Sequence, residues 1–190
     1  MCSRQMLRTT HQPPRHALGM SLLELLTVLL LVTSLLLAGS PALNWLLLDA
    51  RRTADINAFV TAVQLARSES AKRSAPVIIC KTQDFQVCGG SDVAFEDGWM
   101  VLVDTSGAYP PGLGSGAELL FQYQPVIQGM IRSNRARYTF RRFSPRSTNG
   151  TVTFCDSRGA EAARAVIISY TGRPRVSDRA PGGSALVCAS

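Results

Sequence analysis

Between Leu22 and Leu48 the chain carries a single charged residue, Glu24. About 20 apolar helical residues, each rising about 1.5 Å, span the roughly 30 Å core of a bilayer. This run is therefore long enough to cross a membrane once. Arg4, Arg8 and Arg15 precede it with no acid among residues 1–19, so the leading end is expected to stay on the cytoplasmic side. Three fates fit such a run: a secretory signal cut near Ala38 to Ala42, a permanent anchor, or a leader cut at Gly19 that leaves the apolar helix on the mature chain. Glu24 weighs against the first two. A lone carboxylate costs about 2.5–3.5 kcal/mol at mid-bilayer, less near an end, so it is expected to have a role of its own.

Beyond Pro41 the pattern becomes amphipathic. Ile56, Phe59, Val60, Val63 and Ala66 recur at helical spacing, and Arg51 and Asp55 are placed to pair across one turn on the outer face. Ser74-Ala75-Pro76 ends the run. These features predict one long helix over 20–73, greasy all round over 20–48 and amphipathic over 49–73. Residues 74–190 read as a β-rich domain. Short apolar runs at Val77–Lys81, Trp99–Val103, Leu119–Tyr123, Tyr138–Phe143, Thr151–Cys155 and Ala165–Tyr170 are separated by turn residues. Asn149-Gly150 is a turn signal, and Ser106–Gly116 reads as a long surface loop. The fold class is α+β: a long N-terminal helix packed on a small antiparallel domain.

With Cys2 in the leader, Cys80, Cys88, Cys155 and Cys188 remain. Four cysteines beyond an export signal suit two disulfides in an oxidising compartment, with three connectivities open. Cys80 and Cys88 would close a small loop; Cys155 with Cys188 would staple the tail. No CxxC spacing suggests zinc. His11 and His16 both lie in the leader, so a chain starting at Met20 has no histidine for a triad or a metal. No G-x-S-x-G or P-loop occurs. Asp84, Asp92, Glu96, Asp97 and Asp104 cluster without EF-hand spacing, which reads as an acidic solvated loop. Neither an enzyme nor a cofactor is expected. The charge is uneven. Residues 74–130 hold one Lys against six acids, a net of −5, and 131–190 hold eleven Arg against three acids, a net of +8. That basic third suits either a solvated surface or an anionic partner.

Gly19-Met20-Ser21-Leu22-Leu23-Glu24-Leu25 resembles the class III signal of type IV prepilins, with Met where Phe is common, and Pro41 sits where those proteins often bend the helix. Gly98-Trp99 to Asp104, Arg142-Phe143-Ser144-Pro145-Arg146-Ser147, Thr151 to Asp156 and Ile167 to Val176 resemble the GspH/FimT/FimU group of minor pilins. The resemblance implies cleavage after Gly19 by a prepilin peptidase and methylation of the Met20 amine. It implies an inner-membrane, single-pass protein with a periplasmic domain that later joins a fibre or its tip with other major and minor pilins. There Glu24 would offset a neighbouring subunit's amino terminus. Gly172-Arg173-Pro174-Arg175 matches the GRxR motif of FimT-type proteins, which implies double-stranded DNA capture for competence. Arg179, Arg142 and Arg146 are candidate additions to that contact. The alternative implied by the same resemblance is a type II secretion pseudopilin without DNA binding.

Overall fold

The structure, a computed structural model, describes residues 20–142 and 147–188, without the side chains at 38–42. Residues 1–19, with Gly19, Cys2, His11 and His16, lie outside the described residues, as does Arg146. Helix α1 runs Leu22–Arg73. The chain divides into two units, Met1–Leu43 and Asn44–Ser190.

In the first unit Ser21 opens the helix: its Oγ accepts from the Glu24 backbone N–H at 3.2 Å, a serine N-cap. The side chains of Leu22 through Leu37 are exposed. The hydroxyls in this stretch return to the helix's own carbonyls, Thr27 to Glu24, Thr33 to Leu29 and Ser34 to Leu31, at 2.8–2.9 Å. Such back-bonding leaves few polar groups in need of outside partners. Among the described residues no helix is long and apolar enough to cross a membrane. The exposed apolar run Leu22–Leu37 covers roughly 24 Å along the axis at the usual rise, and apolar side chains are exposed again at Leu43, Trp45, Leu46 and Leu47.

The second unit is α+β. From Asn44 to Arg73, α1 packs against two antiparallel sheets. One has the order β3-β2-β1-β5, from β1 (Val77–Lys81), β2 (Trp99–Val103), β3 (Glu118–Tyr123) and β5 (Arg137–Phe140). The other has the order β4-β6-β7-β8, from β4 (Gly129–Ser133), β6 (Gly150–Asp156), β7 (Arg164–Ile168) and β8 (Pro174–Ser177). The main core lies between the helix and both sheets. Phe59 is its centre, edge-on to Phe95, Trp99, Tyr138 and Phe154 with ring centroids 5.5–6.1 Å apart. The first sheet is buried on both faces. Ile78, Cys80, Met100 and Leu102 pack beneath Phe85, Leu113 and Leu119. Burial on both sides explains the unbroken apolar run Trp99–Val103. The second sheet's outer face carries Cys155, Ala163, Ala165 and Ile167 under Leu186 of the tail. Disulfides Cys80–Cys88 and Cys155–Cys188 are formed.

Four expectations need correction. β4 and β8 were not foreseen, because Gly129–Ser133 and Pro174–Ser177 carry no apolar run, unlike β3 and β5, which also lie at a sheet edge. β5 stops at Phe140 rather than continuing to residue 143, and Arg141 and Arg142 are exposed. Asn149-Gly150 makes no tight hairpin, since β5 and β6 belong to different sheets. Gly150 is needed instead for space: a Cβ there would lie 2.6 Å from Asn134 Oδ1 and 2.9 Å from the Tyr138 ring. Finally, Asp55 does not pair with Arg51. It is fully buried and accepts from Tyr123 Oη at 2.9 Å and from the backbone N–H groups of Val126 and Ile127 at 3.0 and 2.8 Å. Its carboxylate fixes the β3–β4 connection to the helix. Burial, then this carboxylate, push the Tyr123 phenol up to about 12.

A second buried polar contact joins α1 to the end of β6. Arg52 donates to Asp49 and to the Ala162 carbonyl, and its Nη1 lies 3.8 Å from Asp156 Oδ2. Arg158 grips Asp156 through Nε at 3.0 Å and Nη2 at 2.6 Å, and its guanidinium lies over Trp45, 5.3 Å from the ring centroid. Hydrogen bonding from Arg158 holds the Asp156 carboxyl below its ordinary value.

Two outcomes are expected. Asp55→Ala removes the buried acceptor of three part-buried donors and should lower stability by roughly 2–3 kcal/mol in guanidinium unfolding followed by tryptophan fluorescence. A loss below about 1 kcal/mol would mean the loop re-satisfies those donors. Asp156 has a depressed folded pKa, so its contribution is present above the unfolded value of about 3.9 and is lost as pH falls through the folded value. Asp156→Asn should therefore cost about 3 kcal/mol at pH 7, and the gap to the parent protein should shrink below about pH 4. A gap that stays constant between pH 7 and pH 3 would contradict this role.

Candidate nucleic-acid interface

β7 and β8 form a hairpin whose loop is Tyr170-Thr171-Gly172. The Gly172 N–H donates to the Ser169 carbonyl at 2.8 Å, and the Ser169 N–H donates to the Arg173 carbonyl at 3.1 Å. Gly172 has φ +72°, the left-handed position that closes a three-residue hairpin loop. Space is also tight there, since a Cβ would lie 3.1 Å from both the Phe140 ring and Ser147 Oγ. Pro174 then opens β8 opposite Ile168, at the edge of the sheet where a missing N–H is tolerated.

Arg175 stands opposite Ile167, and paired residues share a face. That is the outer face, away from α1, where Ile167 packs with Cys155 and Leu186. Alternation puts Arg173 on the same side, and both arginines are exposed. Arg179 lies just past β8, in the turn that starts the tail. Its Nη1 donates to the Gly183 carbonyl at 3.3 Å, and its backbone is held by Ser177 Oγ. Arg142 falls elsewhere. It donates to Ser74 Oγ at 2.8 Å, beside the C-terminal end of α1, on the other side of the hairpin tip.

The remaining arginines of the basic third are spread out. Arg132 is on β4, the opposite edge of the second sheet, about 14 Å from β8 by strand spacing. Arg135 donates to the Asn149 carbonyl at 3.1 Å, and Arg137 sits 4.8 Å from the centroid of the Tyr109 ring. The candidate residues thus separate into Arg173, Arg175 and Arg179 along β8, and Arg142 in a groove at the hairpin tip. That groove, of about 270 Å³, is also lined by Arg67 and Arg141. Sequence reasoning did not single out Arg67, which shares a helix face with Ser70 and Ala71; the only signal was its place off the apolar stripe.

Met20 and Glu24 are exposed at the start of α1. The acidic segment organises turns. Asp84 accepts from the Gln86 and Val87 N–H groups, which hold its carboxyl below its ordinary value; Asp97 accepts from Ala94, Glu96 from Ile131, and Asp104 from Ser106 and Gly107. Among the described residues no group of three or more His, Cys, Asp or Glu is placed to hold a metal ion.

Crystal structures of the type IV minor pilin FimU of Pseudomonas aeruginosa strain PAO1, in space groups P65 and P21, are similar to this chain. Identity is 19% and the TM-score 0.48 for each, over 73% of this chain and 98% and 92% of theirs. The curated proteins contain no match to the chain. Residues 55–172 match the family model described as type II transport protein GspH. With more than half of its length inside that match, the chain belongs to the GspH family.

Proposed function

We propose that this chain is a minor pilin delivered by a prepilin leader, residues 1–19, and assembled through α1. The observation that carries this reading is the first unit: a helix that exposes leucines on every side and bears one carboxylate, Glu24, next to its start. A prepilin peptidase cuts after Gly19 and the Met20 amine is methylated. Residues 20–48 are held in the inner membrane, with 74–190 in the periplasm, until other pilins take the subunit into a fibre or its tip. Glu24 offsets a neighbouring subunit's free amine, since an unpaired carboxylate in hydrocarbon is costly.

The finer role is capture of double-stranded DNA for competence, by non-specific contact of Arg173 and Arg175 with phosphates. Two exposed guanidiniums on one side of an edge strand support it, because such forks grip phosphate oxygens without reading sequence. The second reading is a type II secretion pseudopilin without DNA binding, which membership of the family of the type II transport protein GspH favours.

In cells with an active prepilin peptidase, the mature protein should begin at Met20; an intact Gly19–Met20 bond would refute the pilin reading. The detergent-purified mature protein should retard a duplex of about 30 base pairs at low salt. Arg173→Gln with Arg175→Gln should weaken that binding about tenfold or more near 0.1 M salt. Unchanged retardation would place the contact elsewhere. No retardation of the parent protein at low salt would favour the secretion reading.

A further inference from the structure

The groove at the hairpin tip stands out by charge. The buried or half-buried guanidiniums of the domain's ion pairs are matched by acids: Arg52 by Asp49 and Asp156, Arg158 by Asp156, and Arg73 by Glu69 and Glu118. Among the described residues the groove is lined by three arginines, Arg67, Arg141 and Arg142, and by no acidic residue. Among the described residues Arg67 and Arg141 make no ion pair, and both are exposed. Hydroxyl groups of Ser147, Tyr170 and Thr171 complete the rim. The floor is rigid. Phe140 is buried in the main core, the Ser147 N–H donates to the Tyr170 carbonyl at 2.9 Å, and Arg142 is tied to Ser74.

Three guanidiniums, with Arg67 and Arg141 outside any ion pair, beside the hydroxyls of Ser147, Tyr170 and Thr171, form a site for an oxyanion. The groove opens beside Tyr170 and Thr171, and the same loop leads directly into Arg173. The hairpin tip thus separates Arg173 and Arg175, on the face away from α1, from the groove on the α1 side, and the loop joins the two. We propose that this groove grips a backbone phosphate of duplex DNA, with Arg67 and Arg141 as its contact residues, so that the DNA runs from β8 over the hairpin tip onto α1. This inference rests on the DNA-binding reading above and changes the site from a two-arginine motif into a track that includes the helix.

Counterion release gives the test. Each phosphate contact contributes about 0.9 to the slope of log K against log salt on B-form DNA. The mature full chain in detergent is titrated into a labelled duplex of about 30 base pairs by fluorescence anisotropy, across a series of salt concentrations. Arg67→Gln with Arg141→Gln should reduce the slope by about 1.8, and Arg67→Lys with Arg141→Lys should retain it. The charge-matched control is Lys81→Gln with Arg132→Gln. Both of these residues line the cleft beside β4, which also contains Glu96, and the control should leave the slope unchanged. Equal slopes for the parent and the groove variant, or an equal drop in the control, would overturn the groove while leaving the hairpin reading standing. Absence of binding by the parent protein would overturn both. Unfolding curves for each variant show whether a lost slope reflects lost fold, and the lysine pair decides the case if the glutamine pair is destabilised.

Discussion

A helix that is apolar around its whole circumference over one stretch, and along one stripe over the next, cannot be satisfied by one environment. α1 is such a helix. From Ile56 to Ala66 its stripe is consumed by the domain, with Phe59 ringed by four aromatic side chains. From Leu22 to Leu37 its leucines are exposed, an apolar surface far more extended than the scattered hydrophobics of an ordinary soluble surface. The serine and threonine hydroxyls of this stretch are already bonded to the helix's own carbonyls. Glu24 is the ionisable side chain that is left, and its carboxylate is what a partner of opposite charge would recognise.

The apolar strands and the helix were legible because periodicity and apolar runs report burial, and here burial decides position. Val77–Lys81 and Trp99–Val103 lie at the centre of the first sheet and read directly. β4 and β8 did not read, because Gly129–Ser133 and Pro174–Ser177 hold no apolar run and are placed by their pairing with β6 and β7, whereas the edge strands β3 and β5 carry apolar residues of their own. Asp55 was misread for a related reason. Helical spacing placed it one turn from Arg51, and local spacing carries no information about the Val126 and Ile127 amides, some 70 residues away, that claim it. The two disulfides exist as one of the three pairings that counting allowed. In the candidate interface the GRPR segment was visible as a motif. Its extension to Arg67 was not, since only the packing of α1 beside β5 and the β7–β8 loop puts that residue in the same groove.

Charge counting by segment also proved coarser than the surface it describes. The +8 of residues 131–190 suggests one basic face, but Arg158 is held by Asp156, Arg135 is spent on a carbonyl, and Arg137 covers Tyr109. What an anionic partner would meet is smaller and sharper: two arginines on β8 and a groove at its tip.

These two features depend on the core as much as on their own residues. Gly172 closes the β7–β8 loop in a left-handed conformation, against the ring of Phe140 and beside Ser147. Phe140 ends β5 and belongs to the same cluster as Phe59. The chain of contact therefore runs from the helix stripe, through the aromatic centre, to the strand end, and then to the loop that presents Arg173. Arginine side chains are long and lose much conformational freedom on binding, so a grip on phosphate is efficient only where the backbone beneath them is already fixed. In this domain that fixing comes from α1, so the proposed roles in assembly and in DNA capture draw on a single element.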